Sequence, residues 1–356
     1  MGWRVVALSQ SLIPNTQPSH SPTLPPSHSS TLPLSHSSTL PLSHSSTPFP
    51  VMTSSIATPT HSPPPARARS HRSIPARLLV APSVILLVLW MVVPLAMAIW
   101  FAFQRYNLLI PENREFVGFA NFTYILTDPT LWISIGITLV LVVSVLAITI
   151  GLGTVLAVLF NQEFPGRGVA RVLAISPFFV MPTVSALIWK NMLMHPVNGL
   201  FAQVTRGLGL GAIDWFANFP LLAIIIIVAW QWLPFALLIL LTAIQSLDTD
   251  QMEAARMDGA SAIQLFRFVV LPHLNRAIAV VAMIETIFFL TIFAEIFVTT
   301  GGGPGLATTN LAYYIYLKAL LEFDVGGASA GGLIAVVLAN IVAIFLMRSV
   351  ARNLDT

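Results

Sequence analysis

Six long runs of apolar residues constrain this chain more than any other feature of its sequence. A helix rises about 1.5 Å per residue, so about 20 apolar residues cross the hydrocarbon core of a bilayer. Within that core the backbone must satisfy its own hydrogen bonds, which a helix does without a partner. The sequence therefore predicts an all-α integral membrane protein with six transmembrane helices. The predicted spans cover residues 78–103, 131–160, 169–189, 221–244, 277–300 and 328–347.

The composition supports a membrane protein and excludes several other classes. Hydrophobic residues make up 56% of the chain and charged residues 9%, whereas soluble proteins have about 25% charged residues. The arginines lie beside the apolar runs and form no basic stripe with interleaved aromatic residues, which argues against a nucleic-acid partner. Because the chain has no cysteine, disulfides and thiolate metal sites are excluded. We expect membrane lipid, and no nucleic acid, around this protein.

The N-terminal segment differs in composition from the rest of the chain. Ser, Pro, Thr and His dominate residues 1–66, and an eight-residue repeat begins at Ser27 and again at Ser35. Such a segment cannot bury a core, so we expect a disordered tail over residues 1–75 and a membrane domain over residues 76–356. The spaced histidines could hold a metal ion weakly, but a low-complexity tail without a metal site is the favoured interpretation. The sequence leaves open whether Met1 or Met52 is the true start.

The distribution of basic residues predicts how the spans are oriented. With the N-terminus inside, the segments from residue 67 onward place eleven Arg and Lys residues on the inner side and five on the outer side. Basic residues accumulate on the cytoplasmic side of membrane proteins. We therefore expect both termini in the cytoplasm.

One polar segment, residues 246–273, interrupts the apolar runs on the predicted cytoplasmic side. Asp248 is suited to cap a helix, and Gly259 can adopt the left-handed conformation that ends one. Ser261 and Gln264 have the spacing of a capping box that opens a second helix, which we expect Pro272 to limit. The pattern predicts two short helices that meet at a glycine elbow, and an ordinary loop between spans is the alternative.

The same segment resembles the EAA loop of binding-protein-dependent ABC importer permeases, with valine in place of the usual isoleucine at Val269. The resemblance implies that this helix-turn-helix loop docks on a cytoplasmic ATPase. It further implies two ATPase subunits that use the ATP, a second permease subunit, an external solute-binding protein and a location in the bacterial cytoplasmic (inner) membrane. No cofactor is expected in this chain. The residues assigned to the coupling loop are Glu253, Ala254, Ala255, Asp258, Gly259, Leu271 and Pro272.

Segments on the opposite side of the membrane narrow the resemblance. Residues 300–304 (Thr-Gly-Gly-Gly-Pro) and 313–316 (Tyr-Tyr-Ile-Tyr) resemble the carbohydrate-importing permeases related to the maltose permeases. Residues 308–314, 323–326 and 328–332 are similar to segments of sorbitol and mannitol permeases. The resemblance implies import of carbohydrate, with a sugar alcohol such as mannitol or sorbitol as the substrate. Another sugar, such as an oligosaccharide, is the alternative.

Polar and aromatic residues within the spans are candidates for the substrate passage. Ionisable side chains are costly in lipid and usually functional, which singles out Glu285 and Glu295. The two lie ten residues apart, which is about 15 Å along one helix. Amides and aromatic faces suit hydroxylated ligands, so Gln231, Trp230 and Asn340 are further candidates, although helix packing and interfacial anchoring are the ordinary roles of such residues. With two carboxylates and no buried Lys or Arg, the passage is expected to disfavour anions.

Two other functional classes are the alternatives. An ion-coupled secondary transporter would use Glu285 as a proton carrier, but it would leave the polar loop unexplained. A membrane-embedded enzyme would use Glu285, Glu295 and His273 as acid and base groups, but no paired carboxylates or metal-ligand spacing support it. The glycine-rich residues 301–305 lack the Lys and Ser or Thr of a phosphate-binding loop. We therefore predict a transporter subunit that has no catalytic residues and does not itself hydrolyse ATP.

Overall fold

The computed structural model describes residues 76–354, with the side chains of residues 80–345 and of Arg348. The predicted N-terminal tail, residues 1–75, and the choice between Met1 and Met52 lie outside the described residues. Within the described part, the chain forms fourteen α-helices, one two-stranded hairpin and short 3-10 and π-helical turns. This architecture is the helical one that the sequence predicts.

The first half of the chain contains seven helices and the hairpin. They are α1 (Ala76–Ala102), β1 (Gln104–Arg105), β2 (Glu115–Phe116), α2 (Ala120–Thr127), α3 (Pro129–Asn161), α4 (Arg167–Ile175), α5 (Pro182–Ile188), α6 (Leu200–Gly207) and α7 (Trp215–Asn218). A 3-10 turn (Ser176–Phe179) precedes α5, and a π turn (Trp189–Leu193) follows it. The strands pair antiparallel, with Gln104 opposite Phe116.

The second half contains seven more helices. They are α8 (Pro220–Gln245), α9 (Thr249–Met257), α10 (Ala262–Leu265), α11 (Leu271–Phe289), α12 (Ala294–Thr299), α13 (Leu311–Tyr316) and α14 (Val325–Leu354). One π turn (Phe266–Val270) joins α10 to α11, and another (Leu317–Leu321) follows α13. In the described part, five helices are long and apolar enough to cross a membrane, or six with a bent pair counted as one span.

The third predicted span, residues 169–189, is a broken helix pair. The segments Arg167–Phe179 and Pro182–Leu193 meet at an angle of 105°. Pro182 has no amide to continue a helix, and a residue that precedes proline favours extended backbone. Met181 is extended, with φ −60° and ψ 138°. The prolines of this segment therefore produce a sharp break.

The fifth span also differs from its prediction, residues 277–300. A continuous helix runs over Ala262–Phe289 and ends there, so Glu295 belongs to the separate helix α12. The expectation that Glu285 and Glu295 share one helix is therefore wrong. At the break, the side-chain Nδ2 of Asn310 donates a hydrogen bond to the Ile292 carbonyl at 2.5 Å. This long-range contact satisfies a carbonyl that the interrupted helix leaves open.

Pro272 does not limit the second short helix, contrary to the prediction. It is the second residue of α11, directly after the π turn, where its missing amide is tolerated. The π turn closes with the Leu271 amide donating to the Phe266 carbonyl. This wider turn accommodates the ring that would clash in a regular helix. Of the two short helices, α9 is therefore a separate helix, whereas α10 is the first turn of the fifth span.

The helices α3 and α8 form the centre of the protein and run in the same direction. Leu141 of α3 packs in one core cluster with Ile224 near the start of α8, and Phe160 packs in another with Ile244 near its end. Between these clusters Gly153 lies against Ala236, since a Cβ added at Gly153 would be 3.1 Å from the Ala236 Cβ. The glycine permits this close approach of the two helices.

The 33 residues of α3 extend for about 50 Å and separate two ends of the molecule. At its start, which we call the hairpin end, Leu131 packs with Tyr314 and Ala330. At its other end, which we call the loop end, Phe160 packs with Leu247 and Val270, on either side of the polar segment. The hairpin and the predicted coupling loop therefore lie at opposite ends of the spans.

A buried ion-pair network closes the hairpin end. The Lys318 ammonium lies 3.3 Å from Asp128 Oδ2 and 2.8 Å from Glu322 Oε2. The Tyr314 hydroxyl donates to the same Asp128 oxygen at 2.8 Å. Burial alone would raise the pKa of Asp128, but hydrogen bonds from Thr130 and Tyr314 and the charge of Lys318 together hold it below its usual range. The network ties the start of α3 to the turn after α13.

We predict that Asp128→Asn destabilises the protein by about 1.5–3 kcal/mol at pH 7, because it removes one charged partner of Lys318. Asparagine keeps the helix cap that Asp128 provides to Thr130, so the change isolates the charge. A lowered folded-state pKa stabilises the fold above the ordinary pKa, and this stability is lost as the pH falls through the lowered value. The difference in thermal unfolding between wild type and variant should therefore narrow with acidification.

Glu115→Gln is the matched control, because the Arg105–Glu115 pair is exposed and contributes little. A stability difference for Asp128→Asn that stays constant below pH 4, the region of the ordinary aspartate pKa, would contradict the prediction.

Candidate functional site

The polar segment forms the elbow that its sequence predicts. The side chain of Asp248 caps α9 by accepting from the Asp250 amide at 3.0 Å. Gly259 has φ +82°, a conformation that other residues rarely adopt, and ends α9. Ser261 and Gln264 form a reciprocal capping box at 2.8 and 3.4 Å. Both helix boundaries at the elbow were thus predictable from local sequence.

The elbow carries an exposed apolar surface. Met257, Ile263 and Phe268 are 88%, 79% and 69% exposed. They lie on or beside a cleft of about 320 Å³ that Asp258, Gly259 and Phe268 help to line. Large apolar residues that cluster on an exposed surface mark a contact with another protein or with the membrane. Their exposure was not predicted, because it depends on how the two helices are placed.

The seven predicted coupling residues fall into two groups. Five lie on the elbow itself: Glu253, Ala254, Ala255, Asp258 and Gly259, of which all but Ala255 are exposed. Leu271 and Pro272 lie at the start of α11, where the neighbouring His273 Nε2 is 2.9 Å from the Ala243 carbonyl oxygen of α8. The structure therefore places the second group at the base of the elbow.

Near the end of α11, where this helix packs against α3, one carboxyl group is completely buried. The Thr149 hydroxyl donates to Glu285 Oε2 at 2.6 Å, and Glu285 is 0% exposed. Its other oxygen, Oε1, has no hydrogen-bond partner within the described chain. A buried acceptor without a partner is costly and calls for an explanation such as a ligand. Sequence reasoning found Glu285 but missed Thr149, because a threonine in an apolar span has no distinguishing spacing.

Gln231 lies at nearly the same depth as Glu285. Gly153 of α3 contacts Ala236 of α8. Thr149 and Trp232 each lie one helical turn before this contact, so they are at the same depth, and Gln231 is the neighbour of Trp232. Gln231 is buried, its Nε2 donates to the Val180 carbonyl at 2.8 Å, and its Oε1 has no hydrogen-bond partner in the described part. We call the layer formed by Thr149, Gln231 and Glu285 the mid-membrane polar layer.

The other three predicted passage residues have different surroundings. Trp230 packs edge-on against Trp189, with ring centres 5.7 Å apart. Glu295 is buried on α12, beyond the end of the helix that carries Glu285. Asn340 is exposed on α14 and donates to the Val336 carbonyl of its own helix. Of the five candidates, the structure brings Gln231 and Glu285 together in depth.

One lysine is buried outside the predicted spans, at the hairpin end. Lys318 is 6% exposed. Its i,i+4 spacing to Glu322 was the available sequence signal, whereas its contact with Asp128 depends on tertiary packing. Because both carboxylates neutralise Lys318, its burial does not provide an open site for an anion.

A family model settles the class of the protein. The model described as "Binding-protein-dependent transport system inner membrane component" matches residues 46–356. The chain belongs to this family. The predicted resemblance to ABC importer permeases is confirmed, and so is the membrane fold. Since the family consists of transport components, the alternative of a membrane-embedded enzyme is excluded.

Several curated relatives of this permease cover most of its length. The probable ABC transporter permease protein y4oQ of Sinorhizobium fredii is 36% identical over 70% of this chain and 81% of its own. The trehalose/maltose transport system permease protein MalF of Thermococcus litoralis is 32% identical over 73% of this chain and 86% of its own. The sulfoquinovosyl glycerol transport system permease protein SmoG of Agrobacterium fabrum is 34% identical over 72% of this chain and 83% of its own.

The fold of this permease is similar to that of a solved transporter. A crystal structure of a bacterial ABC transporter involved in the import of the acidic polysaccharide alginate matches with a TM-score of 0.67. The match covers 78% of this chain and 95% of that one at 21% identity. At this identity the similarity supports the fold alone.

We predict that Gln231→Leu destabilises the permease by about 1–3 kcal/mol, because the Val180 carbonyl loses its donor at the break in the third span. The rate of transport should fall, whereas the selectivity among substrates should change less. The matched control is Gln203→Leu, which removes an exposed amide that donates to the Asn198 carbonyl. Thermal unfolding and uptake rates measure both effects. Equal effects of the two variants would contradict the role assigned to Gln231.

Proposed function

We propose that this permease is the membrane subunit of an ATP-driven importer of carbohydrate, with a sugar alcohol such as mannitol or sorbitol as its substrate. The observation that carries the proposal is the exposed apolar elbow, at one end of a continuous helix that reaches the buried Glu285. Relatives named for trehalose and maltose support carbohydrate as the substrate class. The sugar alcohol rests on the resemblance of residues 308–314, 323–326 and 328–332.

The elbow is the proposed contact with the ATPase. Its exposed apolar residues provide surface that a partner can bury at the loop end of the spans. Glu253 and Asp258 add negative charge to the same surface. The helix Ala262–Phe289 begins at the elbow and carries Glu285. Because a helix is stiff, movement of the elbow when the ATPase subunits close would displace Glu285 relative to Thr149. We propose that this displacement opens and closes the passage.

The remaining partners follow from the same proposal. Two ATPase subunits use the ATP, a second permease subunit completes the passage, and a solute-binding protein delivers the ligand at the hairpin end. This orientation puts both termini and the elbow in the cytoplasm of a bacterium. The chain itself needs no cofactor for this task.

The mid-membrane polar layer suits a neutral hydroxylated ligand. Hydroxyl groups both donate and accept, and the layer offers the unpartnered Oε1 atoms of Gln231 and Glu285 as acceptors. Trp232 lies beside this layer, with its ring 5.5 Å from that of Phe289. Lys318, the buried cation of the hairpin end, is already neutralised, so an anionic ligand has less to bind.

We predict that Gly259→Val and Glu253→Lys abolish uptake while the permease still inserts into the membrane. Valine at a φ of +82° costs about 1–2 kcal/mol and reshapes the elbow. Lysine reverses a charge on the docking surface. Uptake and co-purification of the ATPase measure the outcome.

The controls are Gly136→Ala, a helical glycine with nothing within 4 Å of the added Cβ, and Glu112→Lys, which reverses an exposed charge at the hairpin end. Both controls should retain uptake. Normal ATPase binding and uptake in the elbow variants would refute the coupling role.

The substrate is tested in proteoliposomes with the assembled importer and its binding protein. We expect labelled mannitol and sorbitol to enter faster than trehalose, maltose or sn-glycerol-3-phosphate. A preference for a disaccharide would remove the sugar alcohol and keep carbohydrate, whereas a preference for the phosphate would overturn a neutral substrate. Uptake that continues with the ATPase disabled would favour ion-coupled transport.

A further inference from the structure

A cavity of about 530 Å³ lies at the hairpin end, outside the apolar spans. The chain between β1 and β2, the helix α2 and Asp324 at the start of α14 enclose it. Its volume is within the range of about 300–1,000 Å³ that small-molecule sites occupy. Neither the elbow nor the mid-membrane polar layer contributes to it.

The walls of this cavity are held by hydrogen bonds across distant parts of the chain. The Asn121 side-chain nitrogen donates to the Ala102 and Gln104 carbonyls at 2.9 and 2.8 Å. The Gly326 amide donates to the Tyr106 carbonyl at 3.1 Å. The cavity is therefore formed before any ligand arrives, which lowers the entropic cost of binding.

One residue beside the cavity is in an unfavourable conformation. Phe323 has φ +56°, which is rare for a bulky residue, and its carbonyl accepts from the Leu108 amide at 2.9 Å. Strain of this kind costs about 1–3 kcal/mol and concentrates at functional sites. The hydrogen bond from Leu108 to Phe323 holds the chain around residues 106–109 against the start of α14.

The lining presents open polar groups beside aromatic rings. The side-chain amide group of Asn113 makes no hydrogen bond within the described chain, and the side chain of Asn121 uses only its nitrogen there. Asp324 Oδ1 accepts from the Gly327 amide, which leaves Oδ2 open. The rings of Tyr106 and Tyr124 complete the lining. Amide and carboxylate groups next to aromatic faces match a ligand with many hydroxyl groups.

The charges of the cavity favour a neutral ligand. Arg105 and Asp324 are its charged lining residues, and they carry opposite charges. Arg105 lies 3.4 Å from the Glu115 carboxylate outside the lining, which further reduces its attraction for anions. Within the lining, the charge of Arg105 is therefore opposed by Asp324 and Glu115. Arg114 lies outside the lining, and its guanidinium stacks on the Tyr106 ring, 4.1 Å from the ring centre.

We propose that this cavity is a second binding site for a neutral sugar or sugar alcohol, which holds the ligand at the hairpin end before it enters the spans. The choice of ligand class rests on the proposed carbohydrate transport. The site lies about the full length of α3 away from the elbow, and none of its lining residues belongs to the proposed ATPase contact.

The test uses the full-length permease in lipid nanodiscs without ATPase or binding protein. Equilibrium dialysis measures the binding of labelled mannitol, sorbitol, trehalose and maltose. Asn113→Leu should weaken binding of the preferred sugar about fivefold, the effect of one lost hydrogen bond. Tyr124→Ala removes an aromatic face and should weaken it further. Asn218→Leu, another exposed asparagine without a side-chain hydrogen bond, should leave binding unchanged.

The same measurements in a Gln231→Leu background separate the cavity from the mid-membrane polar layer. The effect of Asn113→Leu should persist there. Absence of binding of all four sugars, or equal binding by Asn113→Leu and wild type, overturns the cavity site even if the assembled importer transports sugar. Weaker association with the binding protein at unchanged sugar binding would make the cavity a protein contact and also overturns the proposal. Failure of wild-type sugar uptake would instead overturn the proposed function.

Discussion

Inside a bilayer, each backbone N–H and C=O group needs a partner from the protein itself, and the described structure follows from that requirement. Where a helix is interrupted or ends, a side chain from a distant segment supplies the missing donor. Gln231, Asn310, Lys190 and Arg171 donate to the carbonyls of Val180, Ile292, Thr299 and Phe160, respectively. Because of these bonds, the helices can break or end within the protein while these carbonyls keep a hydrogen-bond donor.

The close packing of α3 and α8 joins the long helices into one unit. Gly153 brings the two helices into contact, and α11 packs beside them through Thr149 and Glu285. Because close-packed helices have few voids, they shift as units and do not deform gradually. Within the described chain, the one side-chain hydrogen bond of Glu285 lies between α3 and the helix that leads to the elbow.

Much of the fold and part of the candidate site were predictable because their causes are local. Apolar runs of sufficient length predicted the spans, although the third is broken and the fifth begins and ends earlier than expected. Asp248, Gly259 and Ser261 predicted the elbow from turn and cap chemistry. Glu285 was found because a carboxyl group in an apolar run is conspicuous. Thr149 was not found, because its significance depends on a partner 136 residues away in the chain. The network around Lys318 was missed for the same reason, since Asp128 is distant in sequence.

Hydropathy and the spacing of the polar segment are properties of the chain, so they were enough to predict that this protein crosses a membrane and resembles the importer permeases. The angle of the third span, the separation of Glu295 from the helix of Glu285 and the place of Pro272 within the fifth span appear only in the folded chain. The cavity at the hairpin end was likewise decided by tertiary contacts. In each case the outcome depends on contacts between distant residues, whose free energies outweigh local propensity.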